Sequence, residues 1–265
     1  MRSPGSAFDL RVALAEELRA AIVELGEVAN DTRALHRCRV RIKRARALAR
    51  VGHACAPGLS AVFNDTARGV MRMLGPARDI SALAQTARRQ RKRAGRKTAA
   101  ALKTVAANLD AEHAATRPSA EAAHKGLKDL LALAQVWPEA SARQVQRGAN
   151  RVALRAWRAC AAARDDDTLP TRHEWRKREK DRLYAAELLR QAWPLPRRAK
   201  RNAQLADILG RERDTLLLLQ RIEATPELAG DSRGAKRVAK LLRAQNARLA
   251  RRANKLGARL HAGGA

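Results

Sequence analysis

Leu35 to Val51 reads LHRCRVRIKRARALARV, and the spacing of its cations decides how the rest of the chain is read. Wound as a helix at about 100° per residue, the stretch sorts into two faces. Leu35, Cys38, Ile42, Ala45 and Ala49 fall on one side. His36, Arg39, Lys43, Arg46 and Arg50 fall within one arc on the other, at spacings of three, four and seven. Permanent cations and an imidazole in one row repel each other unless water or an anion lies alongside. Farther on, Arg172 to Leu189 reads RHEWRKREKDRLYAAELL, where His173, Arg176 and Lys180 repeat the offsets of His36, Arg39 and Lys43. A polyanion is the expected neighbour of both stretches.

Composition agrees. The 265 residues include 55 Lys or Arg against 26 Asp or Glu, a net charge of +29, and the length suits one large domain or two of ordinary size. The part through Trp137 carries an excess of 13 positive charges and the remainder 16, so neither is a detachable basic tail. Such a field selects nucleic acid, an anionic membrane surface or an inorganic polyanion. Two Phe, four Trp and one Tyr are too few to stack regularly on single-stranded bases. Cys38, Cys55 and Cys160 form no CxxC pair, which disfavours a disulfide framework or structural zinc and favours a reducing compartment. The N-terminus lacks the apolar run of a secretion signal, and no stretch approaches the ~18 apolar residues of a membrane span. A cytoplasmic location is expected.

Apolar periodicity and the prolines divide the chain into helices. Asp9 caps a helix to Val28, and the basic helix runs from Asn30 or Asp31 to near Pro57-Gly58. Leu59 to Leu74, Pro76 to about Arg93, Arg96 to Ala115 and Ser119 to Val136 follow, with Trp137-Pro138 as the midpoint. Beyond it come Glu139 to Arg164, an acidic connector (Asp165, Asp166, Asp167) and the second basic helix, which runs to Trp193-Pro194. Arg197 to Leu209, a break at Gly210, Glu212 to Glu223 and Ser232 to Leu260 complete the reading. The three carboxylates read as a helix-capping loop rather than a cation site. No strand-like alternation appears, so the fold class is all-α.

A second pair of signatures accompanies the first. LGPARD at Leu74 to Asp79 aligns with LGRERD at Leu209 to Asp214, and the interval from His36 to Gly75 is 39 residues against 37 from His173 to Gly210. Two signatures in one order at nearly one interval point to a duplicated helical bundle with a pseudo-twofold. That arrangement would bring both basic faces to a shared cleft.

H-x-x-R-x-R-x-K-R-x-R at His36 to Arg46, the second copy HEWRKREKD and the paired LG-x-x-R-D segments together resemble the CHAD domain, the conserved histidine α-helical domain. The resemblance extends over about Phe8 to Leu260. It implies two pseudo-twofold-related antiparallel four-helix-bundle repeats, 8–137 and 138–262, around a basic central channel that binds inorganic polyphosphate. It also implies a binding module rather than an enzyme, directed in some members to polyphosphate granules and the proteins found there. Carried over, the polyphosphate-binding residues would be His36, Arg39, Lys43, Arg46 and Arg50, then His173, Arg176, Lys177, Lys180 and Tyr184, with Arg78 and Arg213 of the LG segments as neighbours. The family usually has Leu-Arg-Tyr where this chain reads Arg182-Leu183-Tyr184. That swap turns Arg182 toward the apolar side of its helix, so either phosphate is held less tightly there or Arg182 snorkels outward.

The residue types suit the ligand. Arg offers a planar fork of donors and Lys a compact charge, and cations one helical turn apart can follow linked phosphates without reading a sequence. No GxxxxGK, HExxH or GxSxG motif is present, and neither histidine of the repeat adjoins a candidate nucleophile. No catalytic residue, metal ligand or cofactor is therefore expected. The alternative is sequence-nonspecific binding of nucleic acid through its phosphates alone.

Overall fold

The computed structural model describes residues 8–29, 31, 33–115, 120–196 and 198–262, without the side chains of 29 and 76–78. Asn30, Pro118, Ser119 and Arg197, which the sequence sets at or near helix ends, lie outside the described residues. The elements are α1 (Leu10–Gly26), α2 (Ala34–Val51), α3 (Pro57–Met73), α4 (Gly75–Arg91), α5 (Arg96–Ala115), α6 (Ala120–Gln135), α7 (Ala142–Asp165), α8 (Leu169–Leu189), α9 (Ala199–Ala224) and α10 (Ser232–His261). Short 3-10 turns join some of them, and the described residues contain no strand. The fold is all-α.

Local chemistry sets most of the ends. Asp9 Oδ1 accepts from Val12 N at 2.9 Å and opens α1, a cap worth about 1 kcal/mol. Ser141 and Gln144 form a reciprocal capping box at α7, each side chain accepting from the other's backbone N–H. Pro57 and Pro170 sit in the first turns of α3 and α8, where a missing N–H costs nothing. The basic helix α2 therefore stops at Val51, well short of Pro57. Gly52 follows it because a Cβ there would lie 2.5 Å from the Trp137 ring.

Gly210 does not break its helix. α9 runs unbroken from Ala199 to Ala224, since a helical glycine costs only about 1 kcal/mol and burial outweighs it. Leu205, Ile208, Leu209, Leu218 and Ile222 are all buried along α9, and an Asp207–Arg211 pair at 2.9 Å bridges the glycine.

Two compact units emerge from the packing, one of residues 1–74, 119–203 and 260–265, the other of 75–118 and 204–259. In the first, α2 is central and packs on α1, α3, α7 and α8. Ala47 and Val51 of α2 join Val145, Ala149 and Val152 of α7 and Tyr184, Ala185 and Leu189 of α8 in one apolar cluster. α7 comes so near that a Cβ on Gly148 would lie 2.0 Å from the Val51 carbonyl oxygen. Trp137 is buried edge-on against Phe63, ring centroids 5.8 Å apart. Cys38 and Cys160 are buried too, and burial pushes both thiols up to about 12. Cys55 is only half-buried, its Sγ donating to the Gly52 carbonyl at 3.1 Å.

A polar network crosses the first unit's interior. Glu179 of α8 is 1% exposed and accepts from Trp175 Nε1 at 3.1 Å, Arg182 Nε at 3.1 Å and His261 Nε2 at 2.6 Å. Arg182 also donates to Asn202 Oδ1. The Arg182-Leu183 inversion is thus accommodated without snorkelling: Arg182 stays inside, neutralised by the carboxylate three residues earlier. Burial pushes Glu179 upward, but its bond to His261 and the charge of Arg182 outweigh this and hold its pKa below the usual carboxylate value.

The second unit is a bundle of α4, α5 and residues 204–259 of α9 and α10. Leu102, Val105 and Leu109 of α5 meet Leu218 and Ile222 of α9 and Val238 and Leu242 of α10. Burying each such side chain contributes about 1.5–3 kcal/mol. Asn108 Nδ2 donating to the Leu228 carbonyl at 3.1 Å and an Arg221–Glu112 pair at 2.9 Å fasten its edges.

Candidate functional site

α2 contains no acidic residue, so its cations depend on carboxylates from other helices. Glu17 of α1 lies 2.9 Å from Arg44 and 3.2 Å from Arg41, and Glu187 of α8 lies 3.3 Å from Arg44. Asp181 of α8 lies 3.1 Å from Arg50. Arg44 meeting Glu187 while Arg50 meets Asp181 means that α2 and α8 run antiparallel. The two cationic helices are neighbours within one unit.

Where the last turn of α2 meets α3, α7 and α8, a groove of about 340 Å³ opens. Arg50 lines it with His53, Asn64 and Arg68 from the α2–α3 region, Arg151 and Arg155 of α7, and Arg178 of α8. Arg46 reaches its wall through Asn64 Oδ1 at 3.4 Å. Six guanidinium groups thus gather around three carboxylates: Asp65 pairs with Arg68 at 2.8 Å, Glu174 with Arg178, and Asp181 with Arg50.

The imbalance registers in the proton affinities. Burial and the neighbouring Arg50 bring Arg46 down to about 10, with Asp181 opposing the drop. Arg50 is lowered by burial despite Asp181, and Arg155 by burial and then by Arg178 and Arg151. His53 is lowered by burial and by Arg151, whose Nη1 lies 2.9 Å from its Nε2. A ring nitrogen that accepts from an arginine belongs to a neutral imidazole. The three arginine shifts report cations short of counter-charge and water.

The model of the CHAD domain family matches residues 12–223. This chain belongs to the CHAD family. The crystal structure of the CHAD domain from the plant Ricinus communis is similar in fold, with a TM-score of 0.65, 21% sequence identity, and coverage of 93% of this chain and 91% of that one. No curated protein matches the chain. CHAD domains are associated with polyphosphate binding in general and are typically non-catalytic binding domains. Among the described residues no helix is long and apolar enough to cross a membrane, and no group of three or more His, Cys, Asp or Glu could hold a metal ion.

In this CHAD domain the residues singled out from the sequence are distributed unevenly. Arg50 lines the groove and Arg46 borders it. His36 is exposed and Lys43 half-buried, whereas Arg39 is buried and donates to the Met71 carbonyl of α3 at 2.8 Å. On α8, His173, Arg176, Lys180 and Tyr184 share one arc, with the Lys180 ammonium 5.7 Å from the Tyr184 ring centre. Lys177 is exposed and paired with Glu174 at 2.9 Å. Arg213 is half-buried on α9 in the second unit, and Arg78 lies in α4 with its side chain outside the described residues. The sequence reading passed over His53, Arg68, Arg151, Arg155 and Arg178. The α7 pair had a signal, since Arg151, Arg155 and Arg158 recur at spacings of four and three. Arg178 had none, because it falls off the arc that copies α2.

Proposed function

We propose that this CHAD domain binds inorganic polyphosphate without turning it over, seating linked phosphates in the α2–α3–α7–α8 groove. Arg46, Arg50, Arg68, Arg151, Arg155 and Arg178 supply the donors there. His36, Arg39 and Lys43 of α2, and His173, Arg176, Lys177, Lys180 and Tyr184 of α8, extend the contact along the two helices. The observation that carries this reading is the convergence of six guanidinium groups on one groove, three of them with proton affinity lowered by desolvation and by neighbouring arginines. A chain of phosphates brings one negative charge per unit and several acceptor oxygens, which relieves that strain at every step. The matched signatures support reading 8–137 and 138–262 as copies of one helical repeat. Granule association follows if the polymer is held firmly enough to recruit the protein to it.

The test is a titration with polyphosphates of graded length against duplex DNA and nucleotides at fixed ionic strength. Affinity is expected to rise with chain length, and long polyphosphate to displace DNA at far lower phosphate concentration than the reverse. Equal displacement in both directions would reduce the groove to a generic electrostatic surface. By analogy with single-stranded nucleic acid, the log–log salt slope should be about −0.7 per phosphate contacted.

A further inference from the structure

The second unit holds an arginine cluster of its own, far from neutral and independent of the polyphosphate reading above. A cavity of about 150 Å³ is lined by Arg89 and Arg93 at the end of α4, Arg211 of α9, and Arg248 and Arg252 of α10. Gln90, Gln245 and Thr215 complete its polar wall, and Leu249 is its one apolar residue. Among the described residues, only Arg211 of these five has an acidic partner, Asp207; Arg89 donates to the Thr86 hydroxyl at 3.3 Å. Among the described residues, Arg93, Arg248 and Arg252 take part in no ion pair.

Thr215 supplies the second observation. It is 1% exposed, its Oγ1 is buried with no hydrogen-bond partner, and it lines this cavity. An unmet buried hydroxyl costs about 1–3 kcal/mol, so a buried donor here calls for an acceptor entering from the cavity. Five guanidinium forks and a hydroxyl converging on a small space match tetrahedral oxyanions grouped on a compact skeleton. The lining carries no aromatic ring on which a nucleobase could stack.

We infer that this pocket of the second unit is a separate anion site that takes a compact cluster of phosphoryl groups. The cluster comes either from a polyol polyphosphate or from a short oligophosphate. Inositol hexakisphosphate and tripolyphosphate, titrated calorimetrically into the full chain, distinguish the two sources. Arg248→Gln with Arg252→Gln is expected to weaken at least one probe about tenfold. Thr215→Val, which keeps the shape, should weaken the same probe about threefold without lowering the melting temperature. Long-chain polyphosphate binding should be unaffected by these changes, while Arg50→Gln with Arg155→Gln should leave the weakened probe's affinity intact. Loss of the hexakisphosphate alone identifies the polyol source, and loss of tripolyphosphate, alone or with it, the oligophosphate source. Neither probe binding, both probes indifferent to the Arg248 and Arg252 changes, or both answering instead to Arg50 and Arg155 would overturn the assignment. The hexakisphosphate and tripolyphosphate results do not depend on whether the groove of the first unit holds long polymer.

Discussion

α2 and α8 carry the same cationic offsets and sit in opposite electrostatic circumstances. α2 has no carboxylate of its own and relies on Glu17, Asp181 and Glu187 from its neighbours. α8 interleaves Glu174, Glu179, Asp181 and Glu187 with its cations, and the first three pair with Arg178 or Arg182 on the same helix. Repeating a spacing therefore does not repeat a charge. One helix brings arginines to the groove whose carboxylate partner comes from elsewhere, while the other supplies that partner, Asp181, and carries a buried ion pair in its interior-facing arc.

The contrast can be broken most severely at α8's interior. Glu179→Gln leaves the Arg182 charge buried without its counter-ion, and equilibrium unfolding in urea should report a loss of about 3 kcal/mol. The pH dependence has a definite sign. Because the folded pKa of Glu179 is depressed, the stability it contributes is present above its unfolded value and is lost as pH falls through the folded value. The gap between wild type and variant should accordingly narrow in acid. If the gap is constant down to pH 3, the carboxylate is not the ionised partner inferred from its bonds.

On α2 the damage should fall on binding rather than folding. Arg46→Gln with Arg50→Gln is expected to cut polyphosphate affinity about a hundredfold, two charge-assisted contacts' worth, with helicity by circular dichroism intact. Arg176→Gln with Lys180→Gln, off the groove's lining, should cost only about tenfold on the same scale. Equal losses would erase the distinction between the helices. A smaller effect of opposite sign is expected from Gly210→Ala. Nothing lies within 4 Å of a Cβ there, so thermal unfolding should show a gain of about 0.5–1 kcal/mol. Smallest of all is the proton linkage at His53. Its pKa is lowered in the free protein by burial and Arg151, and a bound anion would raise it. Affinity should then grow a few-fold as pH falls from about 7.5 to 5.5, and His53→Gln should remove that part of the dependence.

Much of this architecture was legible in the sequence because the relevant forces are local. Asp9 as a cap, the α5 limits at Arg96 and Ala115, and the long apolar stripe of α10 follow from short-range periodicity. Gly210 misled because propensity was weighed without burial: a glycine penalty of about 1 kcal/mol is outweighed where Leu209 and Leu218 anchor the helix. The groove was legible only in part, for a geometric reason. Matching offsets between two copies selects the same arc on each helix, yet α2 and α8 meet side by side and show the groove different arcs. Arg178 enters it, whereas Arg176 and Lys180 stand on the flank. Arg151 and Arg155 arrive from a helix whose packing against α2 depends on Gly148 and Val51, a contact that no charge pattern encodes, and Arg68 arrives from α3.

The unequal burial of the three thiols has a practical use. Cys38 and Cys160 are sealed and hard to deprotonate, while Cys55 is only half-buried and follows His53 of the groove lining by two residues in the chain. A maleimide dye added to the native protein under mild conditions should therefore attach at one position. Its fluorescence would then follow the arrival of polymer in real time, with no engineered cysteine and no altered contact in the groove itself.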